Sequence, residues 1–468
     1  MITLQEHRPG GVENGVSPRD FHVPLILKNG VLYNPDLDRF FMDLPLNGVR
    51  SPHSLRAYGY DIMVWVRFLD EARGTNIWKA ERADVMAFQR ARRRQSAEVS
   101  VSASSWNRSV AAFEKLYRWA EAEGLMSSSP FTHRDIWMRT HGTGRARAVA
   151  RNDAYERAAK RSDIRFVSLE EFGVFKNVGL RTLTPSGTPR VGARDRNGTR
   201  NALFAELLVS TGLRLEEASF LLESELRGLM ALNSKGSRQV RLELSPPLTK
   251  GDRGRTVLLP RRILQQISTY LAIERTHAVS KFKARSGWQS MDRPILIRRP
   301  AAGAVSFPLL HGGALPLAAL TPDERGRLVI CDEDGTPAEP AVLWVTETGQ
   351  PVQPNSWEVI FARASLRCAE AGIPIRINPH RLRHTFAVHM LSILIRHRLR
   401  NAAQELTDPG IEAYRRLLGD PLQQVQRLLG HASLATTYIY LDHIVAQADT
   451  VDAAVEEILA LVSDVRAS

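Results

Sequence analysis

The chain predicts a mainly α-helical protein with a small β-sheet, arranged as two domains. Three observations lead there. Apolar residues recur at helical spacing through the N-terminal part, and a short alternating stretch near the middle marks a pair of strands. A chain of 468 residues is also too long for one small domain. At 43% hydrophobic it can bury real cores and is not a disordered chain.

Residues 1–35 are rich in Gly, Pro and Asn and read as an N-terminal arm, either extended against a partner or disordered. Helical patterning starts at Ser51-Pro52, an N-cap residue followed by one suited to the first turn. Leu55, Tyr58, Ile62, Trp65 and Leu69 then follow at helical spacing, and Gly74 stops the run. A second helix is expected over Arg82 to Arg94. A third, Ser105 to Glu123, carries the stripe Trp106, Val110, Phe113 and Tyr117 and stops at Gly124. These define a helical domain over 36–138.

From 139 to 165 the composition shifts. Arg145, Arg147, Arg151, Arg157, Lys160, Arg161 and Arg165 crowd a Gly- and Ala-rich segment that reads as a basic linker. Such a run belongs either to a solvated face or to phosphate contacts, which give affinity without sequence reading. We take Arg145, Arg147, Arg151, Lys160 and Arg161 as candidate DNA-binding residues.

The second domain spans 166–468. Ser168-Leu169-Glu170-Glu171 is a capping-box-like helix start. Val240, Leu242 and Leu244 alternate with polar residues and Thr256 to Leu259 is β-prone, so a small sheet should present Lys250 on its turn. Helices are expected over Arg261 to Thr276 and Ser356 to Ala371. An apolar stripe over Ile444 to Val465 predicts a closing helix, packed on its own domain or on a neighbouring protomer.

A formal net charge of +13 points to a polyanionic partner, nucleic acid before membrane. The two cysteines, Cys331 and Cys368, are far apart and outside any Cys-x-x-Cys spacing. They exclude a disulfide framework or zinc ribbon and fit a reducing cytoplasm. No stretch approaches the ~18 apolar residues of a membrane span, and Met1 to Asn34 has no basic-led apolar run. The expectation is a soluble cytoplasmic protein, associated with the nucleoid.

The chemistry concentrates near the C-terminus. Asn378-Pro379-His380-Arg381-Leu382-Arg383-His384-Thr385-Phe386 is followed by Leu429-Gly430-His431, Thr436-Thr437 and Tyr440. Arginine forks grip phosphoryl oxygens, histidines exchange protons near neutral pH, and tyrosine can act as a covalent nucleophile. The set suits a phosphodiester. Upstream stand Thr211-Gly212-Leu213-Arg214-Leu215-Glu216-Glu217-Ala218 and Thr249-Lys250-Gly251-Asp252-Arg253-Gly254-Arg255-Thr256-Val257.

These four boxes, in this order, resemble the signature of the tyrosine recombinase (phage integrase) family. The resemblance implies a SAM-like core-binding domain at the N-terminus and a mixed α/β catalytic domain after it. It implies catalytic roles for Arg214, Lys250, His380, Arg383, His431 and Tyr440. Arg214 and Arg383 would clamp charge, Tyr440 would form a 3′-phosphotyrosine and His380 would take its proton. Lys250 would protonate the leaving 5′ oxygen, His431 would bond the phosphate, and Glu217 would support the site. It also implies double-stranded DNA recombination sites, a homotetramer, accessory directionality or DNA-bending proteins, and no metal or nucleotide cofactor. Against the family's plan, 280–340 reads as a β-rich or irregular insertion and 396–420 as a second one. This length favours integration or excision of a mobile element over chromosome-dimer resolution.

Each role has a rival. Arg214 could serve only to pair with Glu217, and Arg253 and Arg255 share the turn of Lys250. His384 and His389 follow His380 at near-helical spacing, open to a metal or a packing role. Tyr438 competes with Tyr440. At the level of the whole chain the rivals are a silent DNA-binding scaffold and a type IB topoisomerase.

Overall fold

The computed structural model describes residues 1–7, 23–49, 52–93, 100–139, 146–156, 166–190, 192, 197–231, 239–405, 421–431, 437 and 440. The chain divides into two compact units, Met1–Asp163 and Ile164–Ser468.

In the first unit β1 (Ile2–His7), β2 (Val23–Lys28) and β3 (Val31–Leu32) form an antiparallel sheet in that order. The stretch expected as an arm is thus, at these strands, part of a folded unit. Ile2, Val23 and Ile26 are buried in one cluster with the helices, hiding apolar surface that an extended arm would leave in water. Four helices follow: α1 (Pro35–Asp43), α2 (Pro52–Phe68), α3 (Arg82–Arg93) and α4 (Ala103–Ala122). Gly59 lets β2 approach α2, since a Cβ there would lie 2.5 Å from the Cβ of Pro24. The stripes read from sequence form the core. Trp65 donates from Nε1 to Tyr117 Oη (2.7 Å), and that hydroxyl donates to the Ile77 carbonyl (3.1 Å). β4 (His133–Arg139), at the end of the stretch expected as helical, forms a hairpin with the antiparallel β5 (Ala146–Asn152), which falls in the basic linker. Trp106 Nε1 donates to the Ala154 carbonyl (2.8 Å) and so fastens its base to α4.

The second unit opens with α5 (Leu169–Val174), started by the capping box of Ser168 and Glu171. Next come α6 (Gly198–Thr211), α7 (Leu215–Ser219), α8 (Glu223–Ala231) and the hairpin of β6 (Gln239–Leu244) with β7 (Arg255–Pro260). After α9 (Arg261–Tyr270) one π turn leads straight into α10 (Thr276–Ala284). Region 280–340, expected to be β-rich or irregular, carries short strands and one short α-helix. It holds β8 (Ile295–Arg298), β9 (Ser306–Pro308), β10 (Ala314–Pro316), α11 (Pro322–Arg327), β11 (Leu328–Cys331) and β12 (Pro337–Pro340). β11 lies between an antiparallel β12 and a parallel β8, and β9 pairs with β10.

Region 280–340 has no core of its own. Ile297, Phe307, Leu328 and Ile330 are buried in the same cluster as Phe204 and Leu208 of α6. The fully buried Arg325 pairs with Glu225 (2.9 Å) and donates to Ser245 Oγ (3.0 Å), while Arg275 pairs with Glu339. The unit closes with α12 (Pro354–Glu370), α13 (Pro379–Glu405) and a helical turn set over 421–429. Phe204 of α6 stacks on Trp357 of α12 with centroids 3.7 Å apart. Helix α13 thus extends into the expected second insertion; 406–420 and the closing stretch Ile444 to Val465 lie outside the described residues.

Candidate active site

The first arginine is placed by a helix stop. α6 ends at Gly212, whose φ of 67° suits glycine and where a Cβ would lie 2.4 Å from the Phe386 ring. The chain then turns so that Arg214 precedes α7. Its backbone N–H donates to Glu217 Oε2 (2.7 Å), its Nη1 to Oε1 (2.8 Å) and its Nη2 to the Gly430 carbonyl (3.3 Å). The pairing with Glu217 weighed from sequence is therefore present, yet the Arg214 side chain keeps 25% of its surface exposed.

Glu217 does more than pair with Arg214. Both arms of Arg255 also reach it, at 2.5 and 2.7 Å, and Arg255 Nε donates to the Leu428 carbonyl (3.2 Å). One buried carboxylate thus ties the Arg214 turn, strand β7 and the Leu-Gly-His box together. Burial pushes its pKa up, but the forks of Arg255 and the charge of Arg214 outweigh that and hold it below the ordinary carboxylate range. Arg255 is a site residue that the sequence reading left as a neighbour of Lys250. The signal was there: alternation along β7 puts Arg255 on the inward side with Val257 and Leu259.

Helix α13 supplies the next group, because positions three and four apart share a helix face. Arg383 is buried and donates from Nη1 to the Gly212 carbonyl and from Nη2 to the Leu429 carbonyl, both at 2.5 Å. Burial and the neighbouring Arg214 push its pKa down to about 9, against the pull of Glu217. One turn before, His380 is exposed and sets its ring edge-on to His384, centroids 4.3 Å apart. Burial of its ring atoms and the charges of Arg383, Arg214 and Lys250 lower its pKa.

The last box brings His431 and Tyr440. His431 Nδ1 lies 3.1 Å from Thr437 Oγ1, and its ring stacks on Tyr440 at 5.9 Å. Burial, then Arg383 and Arg214, push its pKa down to about 4, so the ring is neutral near pH 7. Tyr440 is 2% exposed and packs with Phe386, Leu391, Leu422, Val425 and Leu429. Burial raises its pKa, with Arg383 and Arg214 pulling the other way.

The fold thus gathers Arg214, Glu217, His380, Arg383, His431 and Tyr440. Lys250 sits exposed on the β6–β7 turn, where the Asp252 N–H closes onto the Thr249 carbonyl (3.2 Å) and Gly251 takes a φ of 84°. One assignment changes. His380 was expected beside the tyrosine, but the ring that meets Tyr440 Oη is His384, through Nδ1 at 2.9 Å. The reason is helical: His384 lies a turn further along α13, beside Tyr440. His389 is structural, its Nε2 3.0 Å from the Val167 carbonyl. Among the described residues no group of three or more His, Cys, Asp or Glu is placed to hold a metal ion. Of the candidate DNA-binding residues, Arg147 and Arg151 stand on β5. Arg145, Lys160, Arg161 and the rival Tyr438 lie outside the described residues.

Two family models match the chain: the phage integrase N-terminal SAM-like domain over 37–124 and the phage integrase family over 190–399. Arg214, Lys250, His380 and Arg383 fall inside the second match, and His431 and Tyr440 follow it. Tyrosine recombinase XerD of Mycobacterium tuberculosis is 25% identical over 398 residues, 83% of this chain and 87% of that protein. Tyrosine recombinase XerC of Methylobacterium nodulans is 39% identical over 113 residues, 24% of this chain and 26% of that protein. Among solved structures, the XerH site-specific recombinase bound to its difH substrate aligns at 14% identity and a TM-score of 0.44, covering 90% of this chain and 91% of that chain. The Tn1549 transposon integrase in complex with transposon right end DNA aligns at 12% and 0.45, covering 90% and 98%.

Proposed function

The chain belongs to the tyrosine recombinase (phage integrase) family and is a site-specific recombinase, and we propose that it cuts and rejoins DNA through a 3′-phosphotyrosine on Tyr440 to integrate or excise a mobile element. The observation that supports this reading is the meeting of Arg214, Arg383 and His431 around the Tyr440 phenol.

A phosphodiester resists attack because it is anionic and its alkoxide leaves poorly. Arg214 and Arg383 answer the first difficulty by neutralising charge that develops on the phosphoryl oxygens. Their backbone and carboxylate bonds hold the guanidinium groups in place before DNA arrives, so little reorganisation remains for the transition state. Removing either donor should cost about 10²–10³ in rate. His431 Nδ1 lies 3.1 Å from the Thr437 hydroxyl; in the tautomer that accepts there, the neutral ring carries its proton on Nε2 and can donate it to the phosphate. His380, neutral and exposed, offers a second hydrogen bond at the entrance. Lys250 swings in on its exposed turn and protonates the 5′ oxygen, which an arginine cannot do. The phosphotyrosine conserves the bond energy, so rejoining needs no nucleotide. The basic residues Arg145, Arg147, Arg151, Lys160 and Arg161 bind backbone phosphates. Four protomers on two DNA sites complete the assembly, with accessory directionality proteins where the element requires them.

The test is covalent trapping in cells. The wild-type protein and Tyr440→Phe are expressed in parallel, protein-linked DNA is isolated under denaturing conditions and the attached ends are sequenced. Ends at one or two loci, absent from the variant although it still binds DNA, are expected. Adducts scattered without sequence preference would favour a topoisomerase-like relaxer, and none from the wild type would remove the recombinase mechanism.

A further inference from the structure

We propose that His384, rather than His380, is the group that takes the proton of Tyr440 during cleavage and returns it during rejoining; the inference rests on the nucleophile role proposed for Tyr440.

The geometry is direct. His384 Nδ1 lies 2.9 Å from Tyr440 Oη, within the distance that proton transfer between positioned groups requires. The ring planes are tilted by 50° with centroids 5.7 Å apart, so the contact is made by the ring nitrogen and not by stacking. The phenol is 2% exposed, which leaves bulk water little access to collect its proton. The cations beside it, Arg383 and Arg214, favour phenolate but stay protonated and cannot accept a proton. The other two histidines are committed differently. His431 turns its Nδ1 to Thr437 and lays its ring face along Tyr440, while His380 is on the exposed side of His384.

The step balances as follows. Tyr440 Oη–H breaks and its proton passes to Nδ1 of a neutral His384 that carries its own proton on Nε2. The freed oxygen pair attacks phosphorus, the bond from phosphorus to the 5′ oxygen breaks, and that oxygen takes a proton from Lys250. In the reverse step the 5′ hydroxyl returns its proton to the neutral Lys250 amine as its oxygen attacks phosphorus, the phosphorus–Tyr440 oxygen bond breaks, and the leaving phenolate recovers its proton from the His384 imidazolium.

The substrate for the test is the duplex recovered by covalent trapping, nicked beside the cleavage point so that the adduct accumulates, and the readout is its single-turnover rate. His384→Asn keeps a polar group near the Nδ1 position but cannot take a proton, and a rate about 10²–10⁴-fold below wild type is expected. Fluorinated tyrosine at position 440, a more acidic phenol, should narrow that gap. His380→Asn, run in parallel, should show no such narrowing. His384→Gln and thermal melting of each variant separate loss of chemistry from loss of folding. A full rate in folded His384→Asn or His384→Gln overturns the proposal. So does a loss that fluorotyrosine leaves unchanged, or rescue confined to His380→Asn. Absence of an adduct from the wild type is a different result: it removes the recombinase mechanism itself, and this inference with it.

Discussion

Glu217 holds two arginines on one carboxylate, and removing Arg255 would take away its two shortest side-chain bonds and leave the buried charge to Arg214 alone. Arg255→Met should therefore destabilise the protein by about 1.5–3 kcal/mol, read from the urea midpoint, because Arg214 still pairs with the carboxylate. Cleavage should slow as well, because Arg214 loses the frame that fixes its carboxylate. Acid should loosen the same site. The folded pKa of His431 is about 4 against an ordinary 6.5, so the unfolded chain binds that proton first. Its contribution is complete above pH 6.5 and is lost as pH falls from there towards 4, the sign of a depressed group. His380 adds to the same slope, and Glu217, also depressed, extends it to lower pH. Thermal midpoints measured down this range should fall, and His431→Gln should flatten the upper part of the decline. The motif spacing named Arg214, Arg383, His431 and Tyr440, which the fold brings together. It could not separate His380 from His384, because both lie on one face of α13. The histidine that meets the phenol is decided by where Tyr440 sits against α13, a tertiary fact.

The β4–β5 hairpin shows what composition hides at the scale of an element. Its strands read His-Arg-Asp-Ile-Trp-Met-Arg and Ala-Arg-Ala-Val-Ala-Arg-Asn, with little alternation, so the stretch passes for a charged linker. Pairing gives it order. Arg134 falls opposite Arg151 and pairs with Asp153 (3.5 Å), which offsets the like charge across the ladder. Replacing Arg134, Arg147 and Arg151 together by Ala should weaken DNA binding evenly across sequences. The slope of log affinity against log salt should shrink by about one for each arginine that meets a phosphate. An unchanged slope would leave the hairpin a structural appendage. By contrast α2, α4 and the β6–β7 pair were legible, since each buries a face with the period of its own backbone.

At the scale of the whole molecule, the proposed assembly is open to a count. With Tyr440→Phe and the recovered site, light scattering should find four chains on two duplexes; one chain on one duplex would favour the topoisomerase-like alternative. The two-domain plan and the mixed fold were legible from length and pattern, whereas the standing of region 280–340 was not. Its short apolar runs show strands, but a sequence does not reveal which core they join. The structure runs them into the core of α6 and seats Arg325 between Glu225 and Ser245. The practical consequence is for anyone who would shorten this protein into a compact genome-editing tool. Excising that region would cut through a supporting wall of the second unit, so miniaturisation has to start elsewhere along the chain.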